Sequence, residues 1–156
     1  MQRKILIMGL PGAGKTTLAR ELAPLLNAVT LNADEVRAHI NPDLGFSHVD
    51  RIEHARRMGW MSDRVVEAGG TAIADFICPT VETRAAFGQA FTIWVDRIKE
   101  GRFPDTNRLF EPPARWDVRA SLSWHRGPSC RPDGGSLIAG SAQHGDSRAL
   151  GRVHRY

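Results

Sequence analysis

Lys4-Ile5-Leu6-Ile7-Met8-Gly9-Leu10-Pro11-Gly12-Ala13-Gly14-Lys15-Thr16-Thr17-Leu18-Ala19-Arg20 is the stretch that decides the fold of this 156-residue chain. Gly9 to Thr16 fits G-x-x-x-x-G-K-[ST], the phosphate-binding P-loop. An apolar run precedes it and reads as a buried strand, while the residues after it have helical periodicity. The pattern needs that context. Glycines let main-chain N–H groups curl around a phosphate, and the helix that opens at Lys15 turns its positive end toward the same anion. Gly9, Pro11, Gly12, Ala13, Gly14, Lys15, Thr16 and Thr17 are therefore expected to bind ATP. Lys15 is expected to reach the β- and γ-phosphates as a catalytic group, and Thr16 to give its hydroxyl to Mg²⁺.

Working outward, strand and helix patterns alternate, which predicts a parallel sheet covered on both faces. The expected strands are Lys4–Gly9, Ala28–Leu31, Thr71–Asp75 and Phe91–Val95, all short and apolar or β-branched as buried parallel strands tend to be. The expected helices are Lys15–Leu26, Asp34–His39, His48–Ala68 and Thr80–Phe87. Ser47 with Asp50 reads as a capping box, Gly69-Gly70 as a helix stop, and Pro79 as a first-turn proline. From Ile98 to Ala114 the glycines, prolines and Asn107 predict a loop, and its length suits a lid. Trp116-Asp117-Val118 reads as the start of a last strand. The fold class is thus α/β, a P-loop NTPase-type doubly wound parallel sheet, with the kinase-type domain over residues 1–118 and the lid at 98–114.

Composition bounds the function. No apolar stretch is long enough for a membrane helix, and Ile5–Leu10 is too short for a secretion signal. Cys78 and Cys130 make neither a metal pattern nor a disulfide framework, so a cytoplasmic setting is expected. The net charge of +4 is not a binding face. Acidic and basic residues cancel up to Val118, and the excess lies in a Gly/Ser/Arg-rich tail, residues 119–156. That tail has no sustained periodicity; it reads as disordered sequence or as the product of a shifted reading frame. Neither nucleic acid nor a membrane is an expected partner. A small-molecule nucleotide substrate is, and a homodimer is allowed.

A second cluster follows the second strand. Asn32-Ala33-Asp34-Glu35-Val36-Arg37 sits where a carboxylate faces the ligand crevice of a parallel sheet. After it comes Asn41-Pro42-Asp43-Leu44-Gly45-Phe46-Ser47-His48-Val49-Asp50-Arg51-Ile52-Glu53-His54-Ala55-Arg56-Arg57. Together with the P-loop these blocks resemble the adenylylsulfate kinases. Those enzymes write G-L-P-G-[SA]-G-K-[ST]-T, then L-D-G-D-x-[VL]-R, then N-x-D-L-G-F-S-x-x-D-R-x-E-N-x-R-R. Phe76-Ile77-Cys78-Pro79-Thr80 is similar to the later F-I-S-P-[YF] of the family. The likeness covers about Lys4 to Pro113.

The resemblance implies transfer of the γ-phosphoryl group of ATP to the 3′-hydroxyl of adenosine 5′-phosphosulfate; a P-loop kinase for another nucleotide or sugar, favoured by the altered lid, and a non-catalytic ATP-binding protein, favoured by the tail, are the alternatives. It implies that Asp34 orients or deprotonates that hydroxyl, that Arg37 and Arg51 hold the phosphosulfate, and that Phe46 stacks on adenine. It also implies ligand contacts from His54, which stands where the family has asparagine, and from Ile77. Plainer readings stay open beside these. Asp34 can cap a helix, Arg37 can be a solvated helix residue, Arg51 can pair with Asp50 or Glu53, Phe46 can be core, and His54 can lie at the surface. Asp75 can hold a Mg²⁺-bound water or cap the next turn. Cys78 can carry a lowered pKa or be structural, and Arg102 and Arg108 can neutralise phosphates or face water. Trp60, Trp94 and Trp116 read as packing residues. The chain departs from the family at Asn32-Ala33, at His54, at Cys78 and throughout the lid.

Overall fold

The computed structural model describes residues 3–121. Five parallel strands form one sheet in the order β2-β3-β1-β4-β5. In chain order they are β1 (Lys4–Met8), β2 (Ala28–Asn32), β3 (Thr71–Asp75), β4 (Phe91–Val95) and β5 (Val118–Ala120). The helices are α1 (Lys15–Leu26), α2 (Ala33–His39), α3 (His48–Glu67), α4 (Val81–Phe87) and α5 (Pro104–Leu109).

Strand order decides which face each helix covers. Parallel crossovers are right-handed, so connections running opposite ways along the sheet land on opposite faces. Only β1-to-β2 runs toward the β2 edge, and it carries α1; the later crossovers run the other way. The alternation of β1 agrees. Ile5 and Ile7 pack with Ala19, Ile73, Ile93 and Val95 on the α1 side. Leu6 and Met8 pack with Val36, Met58, Phe76, Phe87 and Trp94 on the side of α3 and α4. The crossovers diverge between β1 and β3, so the crevice for ligands opens at their carboxyl ends.

Local signals set the element ends. Ser47 Oγ accepts from Asp50 N and donates to the Asp50 carboxylate, which starts α3, and Gly69 follows its end with φ +86°. The start of α4 is one residue later than the sequence suggests. Thr80 is its N-cap in a reciprocal box with Thr83, which leaves Pro79 outside the helix. The 98–114 segment is not all loop. Pro104 at the first position, Asp105 in the first turn and Arg108 in the last build the short helix α5. The strand β2 is not buried: Val29 and Thr30 are exposed because it is the sheet edge. Trp94 and Trp116 do pack, edge to face at 5.3 Å. Trp60 does not; it lies on the outer side of α3, 59% exposed under Arg64. The sheet continues past residue 118, because β5 runs to Ala120. The basic tail beyond residue 121 lies outside the described residues.

Two contacts lock the α3 side. Lys4 Nζ donates to Asp63 Oδ1 and to the Phe87 carbonyl, both at 2.8 Å, joining β1, α3 and α4. Gly59 lets α3 touch α4, since a Cβ there would lie far inside contact distance of the Phe87 carbonyl. Gly59→Ala therefore separates two effects. Helix propensity alone adds about 1 kcal/mol of stability, whereas backbone overpacking removes about 1–3 kcal/mol. We expect a net loss in urea denaturation; a gain would remove the close approach from the account.

Candidate active site

The loop between β1 and α1 takes the shape its sequence foretells. Gly14 is the N-cap of α1 at φ +100°, a backbone region that suits glycine. The Lys15 ammonium folds back to donate to the Leu10 carbonyl at 2.9 Å. Burial pulls its pKa down to about 8, against the opposing pull of Asp75 and Asp34. The loop is supported from beneath by Arg97, whose Nη1 donates to the Ala13 carbonyl at 3.3 Å. Pro11, Gly12, Gly14, Lys15, Thr16 and Thr17 line a cleft of about 790 Å³. Gly9 and Ala13 do not line it. Gly9 packs on the Val95 carbonyl, and the Ala13 side chain is in the core.

Three strand ends meet at the floor of this cleft. Thr16 Oγ1 donates to Asp75 Oδ2 at 2.6 Å. Asn32 Nδ2 donates to the same Asp75 oxygen at 2.8 Å and to Thr16 Oγ1 at 3.2 Å. Asn32 Oδ1 caps α2 by accepting from Asp34 N and Glu35 N. The cap of α2 is therefore Asn32, not Asp34, whose exposed carboxylate is left for the cleft that it lines. Asp75 does not cap the next turn either. It is 2% exposed, and burial raises its pKa while the bonds from Thr16 and Asn32 oppose the rise. A hydroxyl and one carboxylate beside a phosphate loop form a hard oxygen set that fits Mg²⁺, which keeps waters and phosphate oxygens as its other ligands. Among the described residues no group of three or more His, Cys, Asp or Glu side chains can hold a metal.

The opposite wall carries the cations. Arg37 Nη1 donates to the Gly45 carbonyl at 2.5 Å, and its guanidinium lies 4.6 Å from the Phe46 ring centroid. Arg51 Nε donates to the Phe46 carbonyl at 2.9 Å, with its guanidinium 5.7 Å from the same ring. Phe46 is 65% exposed, so it is not core. Arg51 is not spent on its helix neighbours: Glu53 bonds Arg56 and Arg57, and Asp50 bonds Ser47. Arg37, Phe46, Arg51, His54 and Ile77 all line the cleft with Asp34.

His54 is buried rather than at the surface. Its Nδ1 lies 2.9 Å from Asn41 Nδ2. Burial, and then the Arg37 charge, hold its pKa down at about 4. Cys78 is a packing residue, since burial pushes its thiol up to about 12. Sequence reading missed Asn41, Arg97 and Phe103, and it treated Asn32 only as a departure. The strap from 98 to 110 closes the cleft with Arg102, Phe103, Asp105 and Thr106. Its base is pinned by Arg84 Nη1, which donates to the carbonyls of Cys78 and Glu111. Asn107 trades two hydrogen bonds with the Gly101 backbone, and Gly101 sits so close to Pro11 that a Cβ would come within 2.7 Å of Pro11 Cδ. Arg108 points away and pairs with Asp105 at 3.9 Å.

The buried imidazole has a consequence for pH. A free histidine titrates near 6.5, and this one titrates at about 4 in the fold. Between those values the unfolded chain binds more protons, so stability falls as pH drops through 6.5 and levels off below 4. A shift of this size corresponds to about 3 kcal/mol. His54→Asn is expected to flatten the stability profile between pH 4 and 6.5, read by urea melts across that range; an unchanged slope would assign the acid sensitivity elsewhere.

Comparison with known proteins bears on the same residues. The family model described as adenylylsulphate kinase matches residues 1–96. An adenylyl-sulfate kinase of Chloroflexus aurantiacus is 44% identical over 82 residues, covering 49% of this chain and 44% of that protein. One from Synechococcus is 36% identical over 97 residues, covering 56% and 55%. The chain thus spans about half the length of these curated relatives. Among solved structures, the Mycobacterium tuberculosis APS kinase in complex with AMPPNP and APS superposes with TM-score 0.67 at 22% identity, over 80% of this chain and 90% of that one. The hexameric APS kinase from Thiobacillus denitrificans gives 0.63 at 28%, over 79% and 26%. The first of these likenesses speaks for the fold, and it agrees with the parallel sheet and its helices. Because the family match takes in the P-loop, the Asp34–Arg37 turn and the whole of α3, the chain belongs to the adenylylsulphate kinase family.

Proposed function

We propose that this chain transfers the γ-phosphoryl group of ATP to the 3′-hydroxyl of adenosine 5′-phosphosulfate. The observation that carries the reading is one cleft with two chemically distinct ends. One end holds Lys15, Thr16 and Asp75; the other holds Arg37, Phe46 and Arg51, with Asp34 among them. Family membership and the complex of the Mycobacterium tuberculosis enzyme with AMPPNP and APS support the same substrates.

Phosphoryl transfer asks a protein mainly for positioning and charge neutralisation. The P-loop amides and Lys15 hold the terminal phosphates. Thr16 and Asp75 are the groups that would hold Mg²⁺ or its water, and the ion would supply charge neutralisation at the phosphates. Asn32 keeps both side chains in register and at the same time caps the helix that presents Asp34. Asp34 then orients the attacking hydroxyl. Arg37 and Arg51 bind the phosphosulfate as planar forks, and Phe46 gives the adenine an apolar face. The strap from 98 to 110 excludes water above them. The setting we propose is the cytoplasm, and a second copy of the chain is compatible with the exposed faces.

One observation favours a second reading. The strap offers Arg102, Phe103 and Asp105 in a sequence unlike the lid of the family, which suits another nucleotide or a sugar as acceptor. An acceptor panel with ATP separates the two. Preferential phosphorylation of adenosine 5′-phosphosulfate is expected, and turnover of a plain nucleoside or sugar in its place would transfer the assignment.

Lys15→Met tests the phosphate end. Loss of MgATP uptake in calorimetry is expected, because the ammonium is removed. The ligand-free protein is expected to gain about 1–2 kcal/mol at pH 7, since a partly desolvated cation disappears. Retained nucleotide affinity would contradict the role of Lys15.

A further inference from the structure

We infer that the strap from 98 to 110 is anchored once at each end of the cleft, and that each anchor sets one substrate site: Asn107 is a positioning residue for the phosphate loop, and Arg84 with Glu111 for the acceptor wall. The second half of this inference rests on the acceptor-site reading given above.

The first anchor is an amide clamped on a peptide unit. Asn107 Oδ1 accepts from Gly101 N at 2.8 Å, and Asn107 Nδ2 donates to the Gly101 carbonyl at 3.0 Å. A carboxamide supplies the donor and the acceptor at once. The clamp holds Gly101 against the phosphate loop. A Cβ on Gly101 would lie 2.7 Å from Pro11 Cδ and 3.0 Å from the Pro11 carbonyl oxygen, and one on Gly12 would lie 3.9 Å from Ile98 Cδ1. Pro11 and Gly12 both line the cleft. Arg97 supports the loop farther along, at Ala13, so the strap is what backs its first half.

The second anchor is Glu111, where the strap ends. Its N–H donates to the Pro79 carbonyl at 2.7 Å, and its Oε2 accepts from Val81 N, the first amide of α4, at 3.1 Å. Arg84 Nη1 ties the Glu111 carbonyl, at 3.0 Å, to the Cys78 carbonyl, at 3.2 Å. These bonds hold a strained turn. Cys78 has φ +47°, a region that residues with a Cβ rarely occupy, and such a conformation persists where its surroundings fix it. The Cys78 side chain packs with Val36 of α2 and Met58 of α3, the helices that carry Arg37 and Arg51. Ile77, Cys78 and Pro79 line the cleft. The strap thus crosses from one side of the sheet to the other: Ile98 packs on the core under α1, and Phe110 on the core under α3. The hydrogen bonds of the two anchors have no residue in common, and sites without shared partners act independently.

Amide hydrogen exchange on the ligand-free full chain reads the anchors. Asn107→Ala is expected to speed exchange at Gly101 and to leave Val81 and Glu111 unchanged, and Arg84→Met to do the reverse. Calorimetry with MgATP, and KM values for ATP and for adenosine 5′-phosphosulfate, read the sites. Asn107→Ala is expected to weaken MgATP roughly tenfold with the acceptor KM unchanged, and Arg84→Met to raise the acceptor KM roughly tenfold with MgATP affinity unchanged, as lost hydrogen bonds predict. Gly101→Ala and Glu111→Ala serve if either variant does not fold. Glu111→Gln, which keeps an oxygen for Val81 N, is expected to restore the acceptor KM lost in Glu111→Ala. Both sites weakening together in one variant, or neither weakening, overturns the inference. Absence of adenosine 5′-phosphosulfate turnover in the parent sinks the proposed substrate; separate exchange patterns with weakened MgATP in Asn107→Ala alone then uphold the two anchors, and a shared pattern overturns them.

Discussion

The site depends on one shared hydrogen-bonded junction, in which Asn32 and Thr16 both donate to Asp75 Oδ2. Three strands end at this point. The first turn of α1, which follows β1, gives Thr16, β2 gives Asn32 and β3 gives Asp75. Parallel pairing brings Asn32 level with Asp75, so the contact follows from sheet register rather than from loop chance. A buried carboxylate needs donors, and here the donors are themselves the groups that frame the phosphate site. The amide at position 32 matters for another reason. Its oxygen caps α2 while its nitrogen holds Asp75, so one side chain fixes both the start of the helix that carries Asp34 and the Asp75 carboxylate.

Electrostatics divides the cleft in a way that suits two anionic partners. The P-loop end has one ammonium, whose pKa burial pulls down to about 8, so it remains mostly charged at neutral pH. An anion placed beside it would favour the charged form further. The far end instead places two guanidiniums on one aromatic ring. Guanidinium groups stay charged under all working conditions, which makes that end permanently cationic.

Much of this was legible in the chain. The P-loop announced itself because its geometry demands glycines at set positions, and α3 announced its start with Ser47 and its stop with Gly69. Strand β1 was plain because both of its faces are buried. What escaped did so for physical reasons. Pro104, Asp105 and Asn107 are turn formers one by one, yet proline at a first helical position and an acid beside it also begin a helix, so α5 read as loop. Trp60 read as core because burial is the average fate of tryptophan, and nothing local says that it faces outward on α3. Asn41 stood only as one residue of the Asn41–Arg57 block, with no role of its own, because its partner Arg57 lies sixteen residues away in the chain. The candidate ligand residues were named through the resemblance rather than through periodicity, and the cleft gathers Asp34, Arg37, Phe46, Arg51, His54 and Ile77 along one wall.

The contact at Gly59 has a bearing on how such a protein can diverge. Helices α3 and α4 meet main chain to main chain there, with no side chain between them to shrink or grow. The block that carries Arg51 and His54 is thereby welded to the one that leads down from Ile77 and Thr80. Drift cannot widen one relative to the other by small steps. The route left for acquiring a new taste in substrates is the strap, which is held mainly by Arg84 at one end and by a glycine against Pro11 at the other.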